Sequence, residues 1–171
     1  GERARDWPGG AGAGAWASAW GSRVSDGGTN DRRYPNRPMA GVGVVVLRGD
    51  YVLLIRGGKP PRLGEWSMPG GLQELGETSR EAARREVLEE TGTLARIGPV
   101  IDVIVILRHA ATEAVETHFT LVDFVADWIA GEPAARGDAV DGVFILLARI
   151  GDPGLWAGAV RVIRLAGLPK R

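Results

Sequence analysis

The chain has 171 residues, which is enough for one domain with a buried core. Its 21 basic and 21 acidic residues balance, which argues against a dedicated nucleic-acid-binding protein, and the absence of cysteine excludes disulfides, thiolate zinc sites and cysteine nucleophiles. No apolar run reaches the roughly 18 residues of a membrane helix, and no secretory signal is visible. We therefore expect a cytoplasmic protein without membrane contacts.

The beginning of the chain differs in composition from the rest. Residues 1–35 are rich in Gly and Ala, which alternate over Gly9–Ala15. Ordering such a stretch costs backbone entropy and buries little apolar surface. We therefore predict a flexible extension over residues 1–35 and a folded domain over residues 36–171. Three tryptophans in the extension leave open that it docks on the domain or on a partner; they are Trp7, Trp16 and Trp20.

The predicted domain begins with strands. Two β-prone runs, Val44–Arg48 and Tyr51–Arg56, are separated by Gly49-Asp50 and predict a tight hairpin. The later predictions are a helix at Thr78–Glu90, strands at Val100–Leu107 and His118–Ala126, a loop at Ala130–Asp141, a strand at Val143–Leu147 and a helix at Leu155–Leu168. The run at His118–Ala126 is apolar on both faces, which is typical of a central strand covered on two sides. This order predicts an α+β fold with helices packed on a mixed sheet.

The helix after Thr78 carries the most informative pattern. Thr78 and Glu81 form a capping box, and Gly92 stands where a glycine would end the helix. At about 100° per residue, three carboxylates share one arc of this helix: Glu86, Glu89 and Glu90. They form either a solvated acidic face with i,i+4 ion pairs or a Mg²⁺ or Mn²⁺ site, because a divalent cation relieves the repulsion between them.

The loop before the helix favours the metal site. Gly70-Gly71 allows the backbone to turn and brings a carbonyl oxygen, another hard ligand, near the start of the helix. Glu77 lies just before the cap and can reach back toward Arg85. A glycine corner followed by inward carboxylates can hold metal ions against a phosphate chain.

The segment resembles the Nudix box, in which Gly, Glu, Arg-Glu, an aliphatic residue, Glu-Glu and Gly recur at fixed spacing. The positions that match are Gly71, Glu77, Arg85, Glu86, Val87, Glu89, Glu90 and Gly92. Thr93 departs from the pattern, since an aliphatic residue is usual there, but that position packs and does not react. The similarity to the family extends over about residues 37–168.

The resemblance implies an α/β/α sandwich around a mixed sheet and a hydrolase that cleaves a nucleoside diphosphate linked to another group X, with Mg²⁺ or Mn²⁺ as cofactor. The implied metal ligands are Glu86, Glu89, Glu90 and the carbonyl of Gly71. The implied catalytic set is Glu89, Glu86, Arg85, Glu77 and Asp141. In this set Glu77 holds Arg85, and the general base is either a box glutamate or a loop acid, with Asp141 the candidate and Asp138 and Glu132 its rivals.

The substrate is less well specified by the sequence. Arg56, Lys59 and Arg62 can meet phosphates and Trp66 can stack on a base, although a solvated basic loop and simple packing are the alternatives. The sequence around the box is similar to small bacterial chains of the ADP-ribose pyrophosphatase type, which ranks ADP-ribose first. The alternatives are a (d)NTP pyrophosphohydrolase and a non-catalytic nucleotide sensor. The expected partner is a small nucleotide, with no nucleic acid and no membrane, and a homodimer is left open.

Overall fold

The computed structural model describes residues 33–58 and 63–168. Most of the predicted extension lies outside these residues, as do Lys59 and Arg62. The strands and helices are β1 Met39–Arg48, β2 Tyr51–Gly57, β3 Trp66–Ser67, β4 Gly70–Leu72, α1 Ser79–Thr91, β5 Leu94–His109, β6 Val115–Ala130, β7 Ala139–Leu146 and α2 Ala157–Ala166. In the described part of the chain, no helix is both long and apolar enough to cross a membrane.

All seven strands belong to one mixed sheet. Its main order is β3-β2-β1-β6-β5, with β4 paired to β1 and β7 paired to β2. The β1–β6 pair is parallel and the other pairs are antiparallel. The predicted hairpin is confirmed, because Arg48 pairs with Tyr51 and Gly49 has a positive φ of 60° at the turn.

Each face of the sheet is covered by one helix. The alternation of side chains along β1 sends Val44 toward α1 and Val45 toward α2. The buried cluster under α1 consists of Val42, Val44, Val46, Leu53, Ala82, Ala83, Val87, Phe124 and Ala126. The buried cluster under α2 consists of Val45, Val52, Leu54, Ile145, Ile150, Val162 and Ile163. The predicted sandwich of helix, mixed sheet and helix is therefore confirmed.

Both ends of α1 agree with the local sequence signals. The Thr78 side chain accepts a hydrogen bond from the Glu81 backbone N–H, and the Glu81 carboxylate accepts one from the Thr78 N–H, so the capping box is complete. Gly92 ends the helix in the left-handed conformation, with φ of 71°. The small residues Ala82 and Ala83 let this helix lie close to the sheet.

Several strands differ from the sequence-based predictions, beginning with β1, which starts at Met39 and not at Val44. Strands β5 and β6 have 16 residues each, longer than predicted, because β5 continues through Gly98-Pro99 by a register shift between Ile97 and Val100. Asp141 was predicted to lie in a loop, but β7 already begins at Ala139, where β2 supplies its hydrogen-bonding partners. The short strands β3 and β4 were not predicted, because they exist through pairing with β2 and β1.

Candidate active site

Two carboxylates of α1 are buried against the Gly70-Gly71 turn. Glu86 and Glu90 each expose only 2% of their surface. The N–H of Gly70 donates a hydrogen bond of 3.0 Å to Oε2 of Glu90. A Cβ placed on Gly71 would lie 2.1 Å from Oε1 of Glu86, so only glycine leaves room for that carboxylate. The backbone of the turn therefore contacts the carboxylate oxygens of the helix.

Arg85 joins the start of the helix to the acidic stripe. Its guanidinium donates two hydrogen bonds to the carboxylate of Glu77, of 2.5 and 3.0 Å, and a third of 3.0 Å to the carbonyl oxygen of Leu72 in β4. Its Nη1 also donates to Glu86 at 2.8 Å and to Glu89 at 3.3 Å. These bonds lower the pKa of Glu77 and raise the pKa of Arg85, with the hydrogen bond between the two as the main cause. Arg85 therefore stays charged and orients the helix.

Glu89 differs from its two neighbours in exposure. Its side chain is 42% exposed, and the bond to Arg85 is the longest of the Arg85 contacts to carboxylates of the helix. Among residues 33–58 and 63–168, no group of three or more His, Asp or Glu side chains lies close enough together to hold a metal ion. The oxygens of Glu86, Glu89, Glu90 and Gly71 are nonetheless the hard donors that Mg²⁺ and Mn²⁺ prefer. Because Glu89 is exposed, it can rotate toward the other two without repacking the core.

Three other candidate residues form one row across the sheet. Arg56 in β2 pairs with Trp66 in β3 on one side and with Asp141 in β7 on the other. Side chains directly opposite each other in a sheet share a face. Trp66 packs on the cluster under α2, so this row lies on the α2 face, whereas Glu86 lies on the α1 face. The structure therefore brings Arg56, Trp66 and Asp141 together and does not bring Asp141 to the carboxylates of the helix.

The loop between β6 and β7 packs on the end of α1. The Ala134 N–H donates to the Thr91 carbonyl at 3.0 Å, and a Cβ on Gly137 would lie 3.5 Å from the Glu89 carbonyl oxygen. Asp138 follows Gly137 directly and is thus close in sequence to this contact. Glu132, the other rival, forms an ion pair of 2.9 Å with Arg48.

One buried acid was missed in the sequence analysis. Asp123 in β6 is 1% exposed, and its Oδ2 has no hydrogen-bond partner. Burial is the main reason that the pKa of Asp123 rises to about 7, with the charge of Asp102 as a second cause. The available signal was a single acid inside an apolar run that was interpreted as covered on both faces.

Replacing Gly71 with Ala is expected to destabilise the protein. The added methyl group would overlap the buried Glu86 carboxylate, so the carboxylate or the turn must move, at a cost of about 1–3 kcal/mol in the free energy of unfolding. Urea unfolding of the two proteins measures this cost. Gly151→Ala is the matched control, because a Cβ there meets nothing within 4 Å. Equal stability of Gly71→Ala and the control would show that the carboxylate is not held against the turn.

Comparisons with known proteins place the chain in a family. Residues 37–165 match the NUDIX domain family. The chain is 31% identical over 107 residues to an ADP-ribose pyrophosphatase of Methanocaldococcus jannaschii and 37% identical over 92 residues to a putative 8-oxo-dGTP diphosphatase 2 of Mycobacterium tuberculosis. These alignments cover 63% and 53% of this chain, and they span 61% and 62% of the two relatives, about three fifths of each.

The fold is also found among solved structures. A MutT Nudix hydrolase from Burkholderia pseudomallei superposes with a TM-score of 0.64 at 23% sequence identity, covering 76% of this chain and 98% of that protein. At this identity the likeness concerns the fold alone. The family match covers most of the chain and includes the capped acidic helix, the glycine turn and Arg85. The chain therefore belongs to the Nudix family.

Proposed function

We propose that the chain is a metal-dependent pyrophosphohydrolase that cleaves a nucleoside diphosphate linked to another group X. The observation that carries this proposal is the burial of Glu86 and Glu90 against the Gly70-Gly71 turn, with Arg85 held in place by Glu77. Carboxylates and a phosphate chain are both negatively charged, so they repel each other unless a cation lies between them. A divalent cation would bind oxygens of the carboxylates and of the phosphate chain together.

The metal ligands in this proposal are Glu86, Glu89, Glu90 and the carbonyl of Gly71. Bound Mg²⁺ or Mn²⁺ would supply charge neutralisation of the phosphates and a lower pKa of the attacking water. Glu86 and Glu90 are already fixed by the turn, while the exposed Glu89 completes the set. Arg85 neutralises part of the stripe and, through Glu77 and the Leu72 carbonyl, fixes the start of α1 relative to β4.

The general base is proposed to be a glutamate of the box, with Glu89 favoured because it is the most exposed carboxylate of the three. Asp141 is a second candidate, and in the sheet it lies directly opposite Arg56, which in turn lies opposite Trp66. Trp66 offers an aromatic face to a base, and Arg56 offers a cation to a phosphate.

ADP-ribose is the substrate that we rank first. The support is the Methanocaldococcus jannaschii relative, which is an ADP-ribose pyrophosphatase and matches 63% of this chain. The Mycobacterium tuberculosis relative, a putative 8-oxo-dGTP diphosphatase, favours a nucleoside triphosphate as second candidate. A nucleotide sensor without turnover is disfavoured, since every carboxylate of the box is retained. A cytoplasmic location is part of this proposal.

A nucleotide panel tests the proposal. The protein is incubated with Mg²⁺ and each nucleotide, and the products are separated by ion-exchange chromatography. ADP-ribose and water should give AMP and ribose 5-phosphate, whereas a triphosphate and water should give a monophosphate and pyrophosphate. A chelator should stop the reaction. Tight nucleotide binding with no product from any compound would instead establish the sensor.

A further inference from the structure

Asp123 is the buried ionisable group that the proposed chemistry does not use. It lies in the middle of β6, between β1 and β5, and its side chain points to the α2 face of the sheet. Its Oδ1 would be 2.2 Å from a Cβ on Gly43, so the carboxyl fills the space that Gly43 leaves open. Its Oδ2 finds no hydrogen-bond partner. A carboxylate in such a place is costly, and a neutral carboxylic acid is much less so.

Two charged groups act on Asp123 from neighbouring elements. Asp102 is its direct partner in β5, and Arg161 of α2 binds the carboxylate of Asp102. Asp102 favours the protonated form of Asp123, and Arg161 favours the ionised form. With burial added, the pKa of Asp123 is about 7, so both forms are populated near neutral pH.

A short path connects Asp123 to the glycine turn. Gly43 lies beside Asp123 in β1 and pairs on its other side with Gly70 in β4. A Cβ built on Gly43 would also lie 3.5 Å from the Met68 Cε, so Met68 packs near the Asp123 carboxyl. Met68 is followed by Pro69 and then by the Gly70-Gly71 turn. The N–H of Gly70 in turn holds Glu90. Asp123 and Glu90 therefore act on the same turn from opposite faces of the sheet.

We propose that Asp123 is a positioning residue whose protonated carboxyl supports the Gly70-Gly71 turn through Gly43 and Met68, and whose ionisation displaces that turn. Ionisation places an unpaired charge beside Asp102 in an apolar layer, and water or Arg161 must move in to solvate it. Gly43 and Met68 must then move, because they lie against the carboxyl on the side of the turn. Only the effect on turnover rests on the proposed function.

Nuclear magnetic resonance of the full chain tests the coupling without substrate or metal. With carbon-13 in the aspartate carboxyl groups, the Asp123 resonance should titrate with a midpoint near pH 7. The amide resonance of Gly70 should shift with the same midpoint. In Asp123→Asn, whose amide mimics the neutral acid, Gly70 should show no such transition. The two proteins differ at position 123 alone, so a Gly70 transition that is lost in the variant belongs to Asp123.

Asp102→Asn provides a second variant in which Asp123 stays in place. Loss of the Asp102 charge should move the Asp123 midpoint to lower pH, and the Gly70 midpoint must follow by the same amount. Asp127→Asn is the matched control, because Asp127 lies in the same strand but is exposed and paired with Arg96 at 3.2 Å. It should leave both midpoints unchanged.

Two results would overturn the proposal. One is a Gly70 transition that persists in Asp123→Asn, and the other is a Gly70 midpoint that stays fixed while that of Asp123 moves in Asp102→Asn. In assays of turnover, kcat should fall above the Asp123 midpoint in the wild type but not in Asp123→Asn, with KM unchanged. If no nucleotide is hydrolysed at all, the proposed function fails while the resonance result still decides the coupling.

Discussion

Replacing Glu89 with Gln is expected to lower kcat by at least about a hundredfold while leaving the free energy of unfolding nearly unchanged. The amide keeps the size of the side chain but removes the charge that we propose to bind a cation and the basic site that we propose to accept a proton. The fold should tolerate the change, since Glu89 is 42% exposed and its ion pair with Arg85 belongs to a class worth about 0.3–0.5 kcal/mol. Steady-state kinetics and urea unfolding measure the two quantities.

Glu81→Gln is the matched control for this experiment. It removes one charge from the same helix at an exposed position, and Gln can still complete the capping box with Thr78. Turnover should therefore stay near the wild-type value. Wild-type turnover in Glu89→Gln would remove Glu89 from the proposed metal site and from the general-base role.

Local signals were sufficient for α1 and for the first hairpin. The capping box at Thr78 and the glycine at position 92 satisfy the open hydrogen bonds at the ends of one helix, so their effect depends on nearby residues alone. The same is true of Gly49, whose positive φ closes the turn between β1 and β2. The predicted helix Thr78–Glu90 agrees with α1 to within one residue, whereas β1 begins at Met39, well before the predicted Val44.

Other strands depend on partners far away in the chain. Trp66–Ser67 and Gly70–Leu72 are too short to show a period, and they become strands because β2 and β1 offer free edges. Asp141 was placed in a loop on the basis of Gly, Pro and acidic residues before it. Its pairing with Arg56 through the sheet overrides that local preference.

In the candidate site, too, some residues follow from local sequence and others from contacts between distant segments. The spacing of the box brings Glu77 to Arg85 and Glu86 to the turn, because one helix and one loop carry all of these residues. Asp123 acquires its properties only from the assembled sheet, where Gly43, Met68 and Asp102 surround it. In the sequence Asp123 stands out only as a single acid inside an apolar run, and that pattern does not identify the residues that surround its carboxyl.

The second large effect concerns the pH dependence of stability. The pKa of Asp123 is about 7 in the folded protein and should be near the ordinary 3.8 in the unfolded chain. Below about pH 4 the Asp123 carboxyl is protonated in both the folded and the unfolded state, so it adds no pH dependence to the free energy of unfolding. Between about pH 4 and pH 7 only the folded state holds it, so the free energy of unfolding falls as the pH rises. Above about pH 7 the loss is complete and constant.

The size of the loss follows from the same shift. At about 1.36 kcal/mol per pKa unit, the change from 3.8 to about 7 corresponds to roughly 4 kcal/mol. Asp123→Asn has no such proton to lose, so the difference in stability between the wild type and this variant should fall by that amount from pH 4 to pH 7. Urea unfolding at intervals across pH 4–8 measures it.

Asp127→Asn sets the background for the comparison. Asp127 is half-exposed in the same strand, so its removal should leave the pH dependence of the wild type in place. Stability curves of wild type and Asp123→Asn that run parallel from pH 4 to pH 8 would mean that Asp123 is ionised throughout. The carboxyl would then be compensated by Arg161 or water, and the support of the glycine turn by a neutral acid would be lost as an explanation.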